Sequence, residues 1–192
     1  MTTTAPRSGG AEGARVAVMA ASARSGSINQ ALARRIAREL EARGESVWVA
    51  NLTNYPMPLY NADDEARDGV PDSAVALAHQ LRAAEVLVVV SPEYNGAFTP
   101  LLKNTVDWMT RVDVAVLAHL TVLLASASPG KGGGANGAAM VRQWMTNIGV
   151  AVAPRTLSVG SATLGDDGEV AGVDPTDLAG FVAQAVMARR AA

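Results

Sequence analysis

The sequence predicts an α/β domain built on a parallel sheet with helices on both faces, and three observations carry that prediction. Short β-branched runs alternate with helix-length amphipathic stretches from Arg15 onward. One run, Val86–Val90 (VLVVV), is apolar without a break, as a strand covered on both faces should be. The chain has 192 residues, 49% of them hydrophobic, which fits one ordinary domain with a substantial core.

Taken in order, residues 15–20 (RVAVMA) read as the first strand. A helix is expected over 28–43, because Ile28, Leu32, Ile36 and Leu40 recur four apart on one face while Arg34, Arg35, Arg38 and Glu41 fall elsewhere. Ser27 stands at its N-cap with Gln30 three residues on, the spacing of a capping box, and Gly44 follows its end. Residues 46–51 (SVWVAN) form the second strand. The stretch 52–71 carries Pro56, Pro58, Gly69 and Pro71 and reads as one long irregular connection, in which Asp63, Asp64 and Glu65 are a charged loop with no assigned role.

A second helix is expected over 72–84 and the third strand over Val86–Val90. The third helix opens at Pro100, with Thr99 as N-cap and proline in the first helical position. Residues 121–127 (TVLLASA) are the fourth strand. The fourth helix spans 136–149, with Val141, Trp144, Met145 and Ile148 on one side, and the fifth strand spans 151–158. Asp174, Pro175 and Asp177 open a last helix bearing Leu178, Phe181, Val182 and Val186. Five strands alternating with five helices make βαβ units. Five strands rather than six favour the order 2-1-3-4-5, a flavodoxin-like three-layer sandwich. No repeat or linker divides the chain, so a single domain is expected over 14–192. Residues 1–13, rich in Thr, Ser, Gly and Ala, lack the apolar core of a secretory leader and read as a flexible tail.

Composition removes several functions. With 16 basic and 18 acidic residues the net charge is −2, which disfavours a nucleic-acid partner. Without cysteine there are no disulfides, thiolate metal sites or cysteine nucleophile, and His79 and His119 cannot build a His-rich centre, so no metal ligand is assigned. No run approaches 18 apolar residues, so no membrane helix is expected and the expected location is cytoplasmic. Aromatic residues are scarce, at 4%, yet Tyr94, Phe98 and Trp108 crowd just past the third strand.

In a sheet wound this way, ligands sit beyond the carboxyl ends of the strands, where the winding reverses between strands one and three. The loop after the first strand, Ala21-Ser22-Ala23-Arg24-Ser25-Gly26-Ser27, leads into Ile28-Asn29 at a helix N-terminus, where free N–H groups and the dipole favour an anion. A terminal phosphate is the natural occupant, with hydroxyls from Ser22 and Ser27, charge from Arg24 and a first-turn donor in Asn29. The loop after the third strand, Ser91-Pro92-Glu93-Tyr94-Asn95-Gly96, offers an aromatic ring, an amide and backbone N–H groups to a planar heteroaromatic ligand, unless it is an ordinary Asn-Gly turn. Gly132, Gly134 and Gly137 spell G-x-G-x-x-G after a strand, but no acidic residue follows about 20 positions on for a dinucleotide ribose. Lys103, Asp107 and Arg111, four apart, read as an ion-pair row.

The run P-E-Y-N-G-A-F-T-P-L-L-K-N-T-V-D-W-M-T-R, with S-A-R-S-G-S-I-N upstream, resembles the NADPH-dependent FMN reductases, a family that includes quinone, azo-dye and chromate reductases. The likeness extends from Arg15 to about Pro154. It departs at Ala21, where the family usually has glycine, and at Ala97-Phe98-Thr99, where small residues are commoner.

The resemblance implies bound FMN, with Ser22, Arg24, Ser27, Ile28 and Asn29 at its phosphate and Pro92, Glu93, Tyr94, Asn95 and Gly96 along its ring. It further implies that the loop after the fourth strand closes over the pyrimidine end, with Ser128 and the amides of Gly130 and Gly132 as donors. NADPH or NADH would be the electron donor, and a quinone, free flavin, azo compound or metal oxyanion the small acceptor. No side chain is assigned as catalytic. A homodimer or homotetramer is implied as well, with Phe98 and Trp108 flanking the site as interface or core residues. A flavodoxin-like electron carrier and a non-catalytic flavin-binding sensor are the alternatives. The carriers tend to be strongly acidic, which −2 over 192 residues does not match.

Overall fold

The computed structural model describes residues 13–191. The tail expected over residues 1–13 therefore lies outside the described residues, apart from Gly13. In chain order the elements are β1 (Val16–Ala20), α1 (Ile28–Glu41), β2 (Val47–Asn51), a 3-10 turn (Leu52–Asn54), α2 (Ala62–Asp68), α3 (Asp72–Leu81) and β3 (Val86–Val90). There follow β4 (Glu93–Tyr94), β5 (Ala97–Phe98), α4 (Pro100–Val112), β6 (Thr121–Ala127), α5 (Ala135–Asn147), β7 (Ala151–Val159), β8 (Thr163–Leu164), β9 (Val170–Ala171) and α6 (Pro175–Ala191). The main sheet is parallel in the order β2-β1-β3-β6-β7, the flavodoxin-like 2-1-3-4-5 arrangement of its five strands.

Strand alternation sends side chains to two cores. Ala17, Met19, Leu87, Val89, Val122 and Leu124 face α3, α4 and α5 and meet Leu77, Leu81, Leu102, Val106 and Met145. Val16, Val18, Val86, Val88, Val90 and Leu123 face the other way, onto Leu32, Ile36 and Leu40 of α1 and Phe181 of α6. The central strands are buried on both faces, which is why they read as unbroken apolar runs.

The register of β1, β3 and β6 is in step, with Val16 opposite Val86 and Val86 opposite Thr121. It slips between β6 and β7, where Val122 pairs Val152 but Leu124 pairs Thr156. Pro154, which has no ladder N–H to lose, sits in that slip. The Arg142 guanidinium braces it by donating to Ala153 O (2.8 Å), Pro154 O (3.1 Å) and Thr156 Oγ1 (2.8 Å). Among the described residues no helix is long and apolar enough to cross a membrane.

Four features differ from the sequence reading. The connection after β2 is not wholly irregular. Asn61 caps α2 by accepting from Asp63 N (2.9 Å), and Asp63, Asp64 and Glu65 fill its first turn, where carboxylates suit the positive helix end. Two small hairpins, β4–β5 and β8–β9, were not expected. The capping box at α1 is only half formed. Ser27 Oγ accepts from Gln30 N (3.3 Å), but Gln30 Nε2 reaches past the cap to Ser22 O (2.7 Å). Ile148, expected on one side of its helix with Val141, Trp144 and Met145, is the C-cap of α5 and half exposed.

Candidate active site

Because β1, β3 and β6 end in step, the three loops that follow them rise side by side from one edge of the sheet. They enclose a cleft of about 260 Å³.

The β1–α1 loop forms one end. Ser22, Arg24, Ser27, Ile28 and Asn29 all line the cleft. The Ile28 and Asn29 N–H groups precede the first intrahelical bond, Ala31 N to Ser27 O (3.0 Å), and are the unsatisfied donors that every helix start leaves. Ser27 accepts its capping bond and keeps its own O–H to donate. Arg24 is exposed and bends back toward Gly26 O at 3.4 Å. Asn29 does something the sequence did not suggest. Its Nδ2 donates to Ala127 O (2.8 Å) and its Oδ1 accepts from Ala127 N (2.9 Å), so a side chain expected to reach a ligand instead pins α1 to the end of β6.

The β3–α4 loop forms the other wall. Pro92, Glu93 and Tyr94 line the cleft, and Tyr94 is 49% exposed. Asn95 and Gly96 do not line it. They are the two turn residues of the β4–β5 hairpin, with φ of 52° and 81°, the positive pair that a type I′ turn requires. Thr99 accepts from Leu102 N (3.2 Å) to cap α4 and donates to Ala21 O (3.0 Å), tying this loop to the first. Glu93 Oε2 accepts from Gly137 N (2.9 Å) in the first turn of α5.

The β6–α5 loop contributes Ala127, Ser128 and Pro129. Ala127 and Pro129 were not singled out from the sequence, although both adjoin Ser128. Gly130 and Gly132 lie outside the lining. The Gly130 carbonyl accepts from Gly133 N (3.2 Å) and Ser161 N (3.0 Å), and that of Gly132 accepts from Ala135 N (3.0 Å), folding the loop onto the segment after β7. The G-x-G-x-x-G spelling has a packing cause at two of its three positions. A Cβ on Gly134 (φ +79°) would stand 1.9 Å from Ser126 Oγ, and one on Gly137 would stand 3.1 Å from Glu93 Cβ.

The clustered aromatics divide. Trp108 is a core residue, donating from Nε1 to Pro58 O (2.7 Å) with Tyr60 edge-on at 5.1 Å. Phe98 stacks on Trp144 with ring centroids 4.9 Å apart. Lys103 pairs with Asp107 (2.6 Å), while Arg111 lies over the Tyr60 ring. Two phenols have raised pKa values, Tyr55 through burial against the opposing hydrogen bond to Gln80, and Tyr60 chiefly through its hydrogen bond to Glu65. Both lie on the connection after β2, not in the cleft lining.

Comparison with known proteins places this geometry. The family model for NADPH-dependent FMN reductase matches residues 14–164. A quinone reductase of Escherichia coli K12 is 37% identical over 120 residues, which are 62% of this chain and 63% of that protein. The chain thus matches less than two thirds of that relative's length. An NAD(P)H-dependent FMN reductase of Pseudomonas aeruginosa is 34% identical over 129 residues, 67% of this chain and 68% of the relative. Among solved structures, the flavoenzyme NAD(P)H:(acceptor) oxidoreductase FerB of Paracoccus denitrificans superposes with a TM-score of 0.75 at 26% identity, covering 92% of this chain and 97% of that one.

Proposed function

The chain belongs to the NADPH-dependent FMN reductase family, and from that premise we propose that it binds FMN in this cleft, takes electrons from NADPH or NADH, and delivers them to a small acceptor. The observation that carries the reading is the polarity of the cleft. Hydroxyls, a guanidinium and a helix N-terminus gather on the β1–α1 side, and Pro92, Glu93 and the exposed Tyr94 on the β3–α4 side. The first set fits a phosphate and the second fits the face of a flat ring.

Bound FMN supplies the hydride chemistry, and the protein supplies binding, orientation and electrostatics. Ser22 and Ser27 donate hydroxyls to the phosphate, Ile28 and Asn29 donate backbone N–H groups, and Arg24 adds its charge. Pro92 and Tyr94 flank the ring and limit water on that side. Ser128 stands at the pyrimidine end, while Gly130 and Gly132 act behind it by folding the loop. No side-chain acid or base is assigned a proton.

The names of the relatives favour a quinone or free flavin as acceptor, ahead of an azo compound or a metal oxyanion. We further assign a homodimer or homotetramer, supported by an apolar groove of about 240 Å³ between α4 and α5, where Val114 is 84% exposed. The cytoplasm is the location assigned.

The test is direct. Protein loaded with FMN should show the visible flavin absorbance and oxidise NADPH or NADH when benzoquinone is added. FMN binding without turnover by either nucleotide would leave the carrier or sensor reading instead, and absence of FMN binding would refute all three.

A further inference from the structure

The carboxylate of Glu93 is bound to the first turn of α5. Helix α5 has thirteen residues, a glycine at its N-cap and no acidic residue in its first turn. Its positive end, worth about half an elementary charge, therefore has no partner from its own segment. Glu93 supplies one from 44 residues away, through the 2.9 Å bond from Gly137 N to Oε2. The absence of side chains at Gly134 and Gly137 lets the strand and hairpin come this close.

A second polar group sits there. Ser126 Oγ is fully buried, has no hydrogen-bond partner among the described residues, and lies where a Cβ on Gly134 would stand. The start of α5 thus meets a carboxylate, and the residue that bears it, Glu93, lines the cleft between Pro92 and Tyr94. The cationic lining residue, Arg24, belongs to the opposite, β1–α1 end.

Resting on the reading that the cleft holds FMN, we propose that Glu93 is a positioning residue that both clamps the β4–β5 hairpin to α5 and offsets the positive end of that helix, thereby setting how strongly the protein favours reduced over oxidised FMN. Two-electron reduction adds negative charge to the ring when N1 is unprotonated, and an uncompensated helix N-terminus stabilises that charge. Glu93 opposes it and keeps the reduced cofactor a ready donor. The same negative charge disfavours anionic acceptors such as chromate relative to neutral quinones.

Glu93→Gln separates charge from shape, because its amide oxygen still accepts from Gly137 N. The expected result has three parts. The affinity for oxidised FMN stays within about threefold of wild type. The preference for reduced over oxidised FMN rises about tenfold, read as a two-electron potential raised by about 30 mV. The ratio of kcat/KM for chromate to that for benzoquinone rises. Glu93→Ala removes the clamp as well and should lower the melting temperature of the cofactor-free protein, where Glu93→Gln does not. A Glu93→Gln protein that binds FMN with an unchanged or lowered potential would overturn the charge role while leaving the FMN reading intact. Failure of the wild-type protein to bind FMN would overturn that reading and this inference with it.

Discussion

Replacing Asn29 by alanine tests the claim that the cleft is held open by cross-links between loops. Asn29 and Ala127 are 4% and 2% exposed, and two hydrogen bonds of 2.8 and 2.9 Å join the side chain of one to the backbone of the other. Truncation strands a buried N–H and a buried C=O, each worth about 1–3 kcal/mol when left unmet. Alanine returns about 0.5 kcal/mol in helix propensity. Because water from the cleft reaches part of the gap, the net loss should fall near 2–3 kcal/mol. With an m-value of about 2 kcal/mol/M, the urea midpoint should drop by about 1 M at unchanged slope. Asn29→Asp should be no better, since it keeps an acceptor for Ala127 N but turns a second oxygen toward Ala127 O. A loss below about 0.5 kcal/mol in Asn29→Ala, with the slope preserved, would refute the argument that this pair joins α1 to β6.

Other outcomes follow from the same geometry. Arg24→Ala should weaken FMN binding about tenfold in a fluorescence titration without moving the melting temperature, because the side chain is exposed and its bond to the Gly26 carbonyl is long, at 3.4 Å. Gly134→Ala must place a Cβ 1.9 Å from Ser126 Oγ on a left-handed backbone, and should lose about 2–5 kcal/mol by chemical denaturation. Ser126→Ala, which removes an unpartnered buried hydroxyl, should instead be neutral or gain up to about 1 kcal/mol. Burial raises the Tyr55 phenol above its ordinary value near 10, so the folded state holds its proton where the unfolded chain has lost it. Its contribution is full below pH 10 and fades as pH rises further, and Tyr55→Phe should remove the corresponding phenolate absorbance in an alkaline titration.

The parts of the molecule written in local sequence are the parts that could be read. β3 was delimited residue for residue because a strand buried on both faces reads as one apolar run, β6 was legible from its run Val122–Ala125, and the start of α4 was legible because Thr99-Pro100 caps it. α2 was hidden by the prolines around it, although Asn61 followed by Asp63, Asp64 and Glu65 is a helix-start signal. The β8–β9 hairpin was missed although Asp167-Gly168 marks its turn. Two side-chain roles were out of reach for a different reason. Asn29 bonds a residue 98 positions away and Glu93 one 44 positions away, so neither partner lies in any local window. The Gly132, Gly134, Gly137 spelling was set aside as a dinucleotide loop for want of a following acidic residue, and Gly134 and Gly137 serve close packing on β6 and on the hairpin.

These long-range bonds form a pattern. Thr99 joins the β3–α4 loop to the end of β1, Asn29 joins α1 to the end of β6, and Glu93 joins the hairpin to α5. Ser128 N donates to Val159 O (3.1 Å), carrying the chain of cross-links to β7. Each loop is therefore fixed by its neighbour as well as by its own turns, and the three walls of the cleft share one set of constraints. Such a scaffold lets exposed groups such as Arg24 and Tyr94 vary with little effect on stability, while a change at a cross-link moves two walls together. Substitutions at Asn29 and Glu93→Ala should therefore show coupling in a double-mutant cycle. Arg24→Ala paired with either should be additive within about 0.5 kcal/mol in stability.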